Sequence, residues 1–162
     1  MDTDQQLIGQ LNPLRDSSTV IIGIGNTLKG DDGAGPLICR KLQQMDFGTE
    51  IINAETVPEN YIQVIVKTAP DNLLVIDAID FNAPPGSIRV FKPDQLDSFV
   101  FSTHTLSPRL FTEMVGRYIK VNVLFLGIQP AQISLGQPLS LQVEQAVDRL
   151  VHILADIFNS TP

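Results

Sequence analysis

The chain has 162 residues, of which 43% are hydrophobic, and its formal charge is −7 at neutral pH. This length suits a single α/β domain over residues 1–162, whose first residues, 1–17, form an N-terminal extension. The negative charge argues against nucleic acid and against an anionic membrane as partners, because both require a basic binding face. No apolar run reaches the roughly 20 residues of a membrane span, and no signal peptide is evident. The single cysteine excludes an internal disulfide, so we expect a cytoplasmic protein.

The first clear element in chain order is a buried β-strand over Thr19–Ile24. Its residues are apolar and mostly β-branched without alternation, which is typical of a strand covered on both faces of a parallel sheet. A glycine-rich turn over residues 25–35 follows, and Pro36 then suits the first turn of a helix. The turn carries two carboxylates. We expect Asp31 to cap the helix, which leaves Asp32 for chemistry.

The same turn could serve a nucleotide site, because Gly23 and Gly25 begin the pattern G-x-G-x-x-G. The sixth position of that pattern is Leu28, however, and the two aspartates lie where phosphate needs bare helix N–H groups. Asp31 and Asp32 also replace the Lys-Ser/Thr pair of a Walker A loop. A nucleotide-binding α/β protein therefore stays an alternative that these carboxylates weaken.

Strand and helix patterns alternate along the rest of the chain, which predicts an α/β fold. Leucines at near-helical spacing within residues 1–17 leave two possibilities for this arm, docked or frayed. The further predicted strands cover 50–53, 72–77, 87–91 and 121–126, and the further predicted helices cover 58–67, 106–118 and 142–158. The connection before the fourth strand is shorter than the dozen or so residues of a parallel crossover, so we expect this strand to be antiparallel.

Candidate functional residues follow the predicted strands, because the crevice of an open α/β sheet lies beyond the carboxyl ends of its strands. Asp32 follows the first strand, Asp77 ends the third, and His104 follows the antiparallel one. Gln129 and Pro130 follow the last strand. Two carboxylates and one imidazole would form a metal site with open positions, suited to nickel, zinc or manganese. Taken singly, each of the three has a structural explanation, but their convergence favours a joint role.

Covalent catalysis has little support in the sequence. Cys39 lies at an apolar-face position of the first helix, where we expect a buried core thiol. The sequence contains neither a G-x-S-x-G elbow nor an H-E-x-x-H helix, which argues against serine hydrolases and zincins. A water nucleophile is therefore favoured for any hydrolytic reaction at this site.

Taken together, the motifs resemble those of the hydrogenase maturation endopeptidases, which process the large subunit of nickel-iron hydrogenases. The resemblance begins at Gly25–Gly35 and continues in motifs closest to the formate-hydrogenlyase (hydrogenase 3) type: Val57–Asn60, Ile76–Ala78, Pro85–Arg89, Thr103–His104 and Phe125–Pro130. It implies a three-layer fold with helices on both faces of a twisted, mixed, five-stranded sheet. The implied strand order is 2-1-3-5-4, with the fourth strand antiparallel.

The resemblance also implies an activity, the removal of a C-terminal extension from a nickel-loaded large-subunit precursor. Matched position by position, the family's metal-contacting residues fall on Asp32, Asp77 and His104, which we expect to be both catalytic and metal-binding. The nickel would be carried by the substrate, zinc or cadmium could replace it in the isolated protein, and we expect a monomer. A non-catalytic, nickel-sensing chaperone module of hydrogenase assembly is the alternative. Ala54 and Glu55 stand where many family members have glycines, which adds a carboxylate and stiffens a loop at the cleft.

Overall fold

Within residues 3–46, 48–99 and 106–159, which the computed structural model describes, five strands form one sheet. The strands are β1 (Thr19–Ile24), β2 (Glu50–Glu55), β3 (Asn72–Ala78), β4 (Ile88–Phe91) and β5 (Asn122–Ile128). Their order is β2-β1-β3-β5-β4, and all pairs are parallel except β4 with β5. The expected α/β class, the sheet order and the antiparallel fourth strand are therefore confirmed.

Four of the helices that the structure describes lie in the intervals that the sequence predicted, and a further one, α1 (Thr3–Leu11), lies in the N-terminal arm. The four are α2 (Ala34–Gln43), α3 (Ile62–Thr68), α4 (Pro108–Gly116) and α5 (Leu141–Asn159). The helix predicted from Pro58 begins as a short 3-10 helix, Pro58–Tyr61, before α3. α4 begins after Ser107, whose hydroxyl accepts a hydrogen bond from the Leu110 N–H at 3.1 Å as an N-cap. Among the described residues, no helix is both long and apolar enough to span a membrane.

β3 shows how the sheet divides the molecule into three layers. It is buried along its whole length, and its side chains alternate between two cores. Leu74 and Ile76 pack with α2 and α5 on one face, whereas Leu73 and Val75 pack with α3 and α4 on the other. Because both faces are covered, the strand needs apolar residues at every position, which explains the lack of alternation in its sequence.

The N-terminal arm is docked on the domain. Leu7, Leu11 and Leu14 are buried in the same core as α2 and α5. Asp4 of α1 also pairs with Arg149 of α5, with 3.2 Å between the carboxylate oxygen and Nε. Of the two possibilities that the sequence left for residues 1–17, the structure therefore selects docking for the part that it describes, from Thr3 onwards.

Candidate active site

Asp32 is held just beyond the carboxyl end of β1. After Ile24, the chain turns at Gly25, which has a φ of 150°, and runs into a short 3-10 helix, Gly30–Gly33. A Cβ atom at position 25 would overlap the carbonyl oxygen of Asp32, so only glycine fits there. Asp32 is fully buried, and its Oδ2 accepts a hydrogen bond of 2.7 Å from the Asn26 N–H. The turn therefore serves to fix a carboxylate, as the sequence suggested.

Asp77 lies near the carboxyl end of β3, the strand next to β1, and is also buried. Gly35, at the start of α2, lets this helix approach both strands closely. A Cβ atom at position 35 would lie 2.6 Å from the carbonyl oxygens of Ile24 and Ile76. The 3-10 helix that carries Asp32 consequently contacts β3. The structure thus brings two of the three predicted site residues to the same edge of the sheet.

The third predicted residue, His104, lies outside the described residues. Within the parts of the chain that the structure describes, no group of three His, Cys, Asp or Glu side chains is placed to hold a metal. The carboxylate oxygens of Asp32 and Asp77 are of the type that hard and borderline divalent cations prefer. A complete metal site would therefore need a further ligand from His104 or from a substrate.

Asp31 does not cap α2, so that prediction is wrong. Gly33 occupies the N-cap position, and no side chain caps the helix. The buried Asp31 carboxylate instead accepts hydrogen bonds from the N–H groups of Ala131 (2.8 Å), Gln132 (3.2 Å) and Ser140 (2.7 Å), and from the Ser140 hydroxyl (2.9 Å). These donors lie far along the chain, between β5 and α5. Asp31 therefore joins residues 25–33 to residues 129–140, two segments that we call the loop pair.

Gln129 organises the loop that follows β3. Its Oε1 accepts hydrogen bonds from the N–H groups of Phe81 (2.8 Å) and Ala83 (3.2 Å), and its Nε2 donates to Asp80 Oδ1 at 3.0 Å. The hydrogen bond from Gln129 is the main reason that the pKa of Asp80 is lowered, with a further contribution from the Asn82 N–H. The sequence singled out Gln129 by its place after the last strand and as part of the motif Phe125–Pro130, without a specific role. Its actual role is to fix the backbone that leaves Asp77.

Cys39 is buried in α2, as predicted. Burial raises the pKa of its thiol to about 12, because the thiolate would be desolvated. A thiol with this pKa carries almost no thiolate at neutral pH, so it is a poor nucleophile. The expectation that this cysteine has a structural role agrees with its environment.

Comparison with known proteins assigns the family. The model of the HycI hydrogenase maturation proteases matches residues 36–157. This chain belongs to the hydrogenase maturation protease family. It is 34% identical to the hydrogenase 3 maturation protease of Escherichia coli K12 over 131 residues, which cover 80% of this chain and 83% of that protein. The resemblance to the hydrogenase 3 type inferred from the motifs is thereby confirmed.

Solved structures of family members share the fold. The crystal structure of the [NiFe] hydrogenase maturation protease HycI from Thermococcus kodakarensis matches with a TM-score of 0.84 at 26% identity, covering 93% of this chain and 99% of that one. The solution structure of the endopeptidase HycI from Escherichia coli matches with a TM-score of 0.74 at 30% identity, covering 83% and 87%. Members of this family are endopeptidases, so the reaction class is peptide hydrolysis.

Proposed function

We propose that this protein removes the C-terminal extension from a nickel-loaded precursor of a [NiFe]-hydrogenase large subunit. The observation that carries the proposal is the pair of buried carboxylates, Asp32 and Asp77, at the ends of adjacent strands in a member of this protease family. Buried carboxylates at a strand edge are costly unless a cation or a set of donors compensates them. Nickel brought by the precursor would be a cation that these carboxylate oxygens can bind.

In this proposal, Asp32, Asp77 and His104 contact the nickel of the precursor and so orient the scissile peptide. Asp32 is well suited to such a task, because the Gly25 turn and the Asn26 N–H fix its carboxylate before any substrate arrives. Orientation of this kind lowers the activation barrier by removing the entropy of positioning from the chemical step. Zinc or cadmium would bind the same residues in the isolated protein.

The nucleophile in the proposal is a water molecule. The single cysteine is buried with a pKa of about 12, which leaves no activated thiol in the chain. One of the two carboxylates can accept the proton of the attacking water as general base, and the nickel of the substrate can polarise the scissile carbonyl. Asp32 and Asp77 are the candidates for the base because both lie at the same sheet edge.

The decisive experiment compares nickel-loaded and nickel-free precursor as substrates and weighs the products by mass spectrometry. We expect the loaded precursor to lose its C-terminal extension, and the nickel-free precursor to be cleaved at least about 100-fold more slowly. Each 1.4 kcal/mol of transition-state stabilisation that is lost with the nickel contact lowers the rate about tenfold. Equal cleavage of both forms, or cleavage of an unrelated unfolded protein, would overturn the proposal. Binding of the loaded precursor without cleavage would instead support a nickel-sensing chaperone.

A further inference from the structure

The most exposed large apolar side chains of the described residues cluster at the loop pair. Leu135 is 73% exposed, Leu28 is 67% exposed and Leu141 is 66% exposed. Leu28 and Leu135 belong to the two segments of the loop pair, and Leu141 directly follows Ser140, which binds Asp31. Single exposed leucines are ordinary on protein surfaces, but their concentration beside a candidate active site is typical of a contact surface.

Leu28 and Leu135 face one shared depression. It has a volume of about 430 Å³, is open to solvent, and is lined by Thr27, Leu28, Leu135, Gly136, Gln137 and Pro138. The two leucines are brought together by the backbone, since the Gly136 N–H donates to the Leu28 carbonyl at 2.8 Å. We call this surface the leucine patch.

The backbone of the patch is held by contacts between the two segments of the loop pair. Lys29 and Leu135 form an antiparallel β-bridge, and the Gly30 N–H donates to the Gln137 carbonyl at 3.1 Å. Beneath them, Asp31 binds the backbone of the opposite segment through a fully buried carboxylate. A buried carboxylate thus holds in place a loop whose apolar side chains are exposed to solvent.

The patch is linked to the candidate active site by the hydrogen bonds of one residue, Asn26. The Asn26 N–H donates to Asp32 Oδ2 at 2.7 Å, and the Asn26 Oδ1 accepts from the Leu28 N–H at 2.9 Å. A protein whose peptide reaches Asp32 would therefore pass close to Leu28. The occupant of the patch and the substrate of the site are expected to be the same molecule.

We propose that the leucine patch is a docking surface for the folded body of the hydrogenase large-subunit precursor. It holds the precursor by apolar contact while the C-terminal extension lies at Asp32 and Asp77. This inference rests on the proposed function. A second copy of this chain is a poorer occupant, because two leucines supply a fraction of the roughly 1,200 Å² that a stable interface buries, whereas a transient contact with a substrate buries less. The charge of −7 also opposes self-association.

The test measures steady-state processing of nickel-loaded precursor by Leu28→Asp, Leu135→Asp and the double variant. Loss of a contact made equally in the ground state and the transition state raises KM and leaves kcat unchanged. We expect the double variant to raise KM at least about tenfold, with kcat within about twofold. The double variant Leu28→Met, Leu135→Met should keep the KM of the wild type, because methionine preserves the apolar contact.

Tyr118→Asp is the matched control. Tyr118 is 61% exposed, and it lies between α4 and β5, at the opposite end of the sheet from Asp32. We expect its KM to equal that of the wild type. An unchanged KM in the double Asp variant, or an equal rise in Tyr118→Asp, would overturn the docking surface. If thermal unfolding shows that the Asp variants fold poorly, Leu28→Ser with Leu135→Ser is judged by the same criteria.

Failure of the proposed function gives a different result. If the wild type does not cleave the loaded precursor at all, the proposed function is contradicted, and a binding assay then decides the surface. Capture of the precursor by the wild type but not by the double Asp variant would support the leucine patch. Equal capture by both proteins, or capture by neither, would overturn it.

Discussion

The two ends of the sheet both contain buried polar side chains, but their chemistry differs. At the amino end, the Asn72 Nδ2 donates to Ser17 Oγ at 2.7 Å, and its Oδ1 accepts from Asn122 Nδ2 at 3.1 Å. Thr19 completes this neutral network by donating from its hydroxyl to the Leu14 carbonyl at 2.8 Å. Amides and hydroxyls both donate and accept, so they can satisfy one another without any net charge.

The carboxyl end of the sheet instead contains three buried carboxylates, Asp31, Asp32 and Asp77. An ionised carboxylate only accepts hydrogen bonds, and its burial is more costly than that of an amide. We call the amino end, with its amides and hydroxyls, the neutral end, and the carboxyl end, with its three buried carboxylates, the charged end. At the charged end, Asp31 joins the two segments of the loop pair, and for Asp32 and Asp77 we propose catalysis.

The largest expected effect is on the processing rate, which substitutions at the carboxyl end of the sheet should lower and a substitution at the amino end should not. Asp32→Asn and Asp77→Asn should each lower the processing of nickel-loaded precursor by about 100-fold or more, because a neutral amide oxygen binds a divalent cation more weakly than a carboxylate does and is too weak a base to accept the proton of water. His104→Ala should do the same. Asn72→Ala, at the neutral end, should lower stability and leave the rate unchanged. Mass spectrometry of the product over time measures the rates. Wild-type rates in both Asp variants would reject the assignment of the site.

The second prediction concerns Asp31, whose role is structural. Asp31→Asn should lower the free energy of unfolding by at least about 2 kcal/mol, because the new amide N–H groups would face donors and leave buried N–H groups unsatisfied. Ser140→Ala removes only the hydroxyl from this cluster and should cost about 1 kcal/mol. Urea denaturation measures both values. An Asp31→Asn protein as stable as the wild type would contradict the importance of the Asp31 hydrogen bonds for joining the loop pair.

A smaller effect is expected on the free energy of unfolding when residues with a positive φ at the two ends of the sheet are replaced by glycine. Glu55, beside the candidate site, has a φ of 51°, and Ala69, near the amino end of β3, has a φ of 48°. Glu55→Gly and Ala69→Gly should each raise the free energy of unfolding by about 0.5 to 1 kcal/mol, because glycine adopts this conformation without a Cβ clash. Asn82→Gly, at a φ of 59°, should change little, since asparagine tolerates this region. Unequal gains at positions 55 and 69 would show that strain, as well as charge, differs between the ends.

The smallest effect is a pH dependence at the charged end. The pKa of Asp80 lies below its ordinary value of 3.8, chiefly because Gln129 donates a hydrogen bond to the carboxylate. A lowered pKa means that the contribution of Asp80 to stability is present above pH 3.8 and is lost as the pH falls through the folded-state pKa. The difference in Tm between the wild type and Asp80→Asn should therefore shrink between pH 5 and pH 2, which thermal unfolding can follow. A difference that stays constant over this range would contradict the hydrogen bond.

The sequence by itself determined the elements and their directions. The unbroken apolar run of Thr19–Ile24 specifies a strand buried on both faces, and the short connection before Ile88–Phe91 forces an antiparallel strand. The positions of Asp32 and Asp77 at strand ends also follow from the sequence, because parallel strands end at a common edge. These features depend on residues that are close together in the chain. The contribution of His104 stays a prediction.

Only the tertiary structure decided which partners the polar side chains find. The sequence predicts a local helix cap at Asp31, but the donors to its carboxylate lie between β5 and α5, where no local pattern relates them to the turn after β1. The docking of Leu7 and the hydrogen bonds of Gln129 to the loop after β3 also join segments that are distant in sequence. Periodicity and propensity describe how a chain interacts with its near neighbours and with water. Which distant groups then satisfy a buried carboxylate depends on how the packed layers place the loops, and this is settled only when the whole sheet has formed.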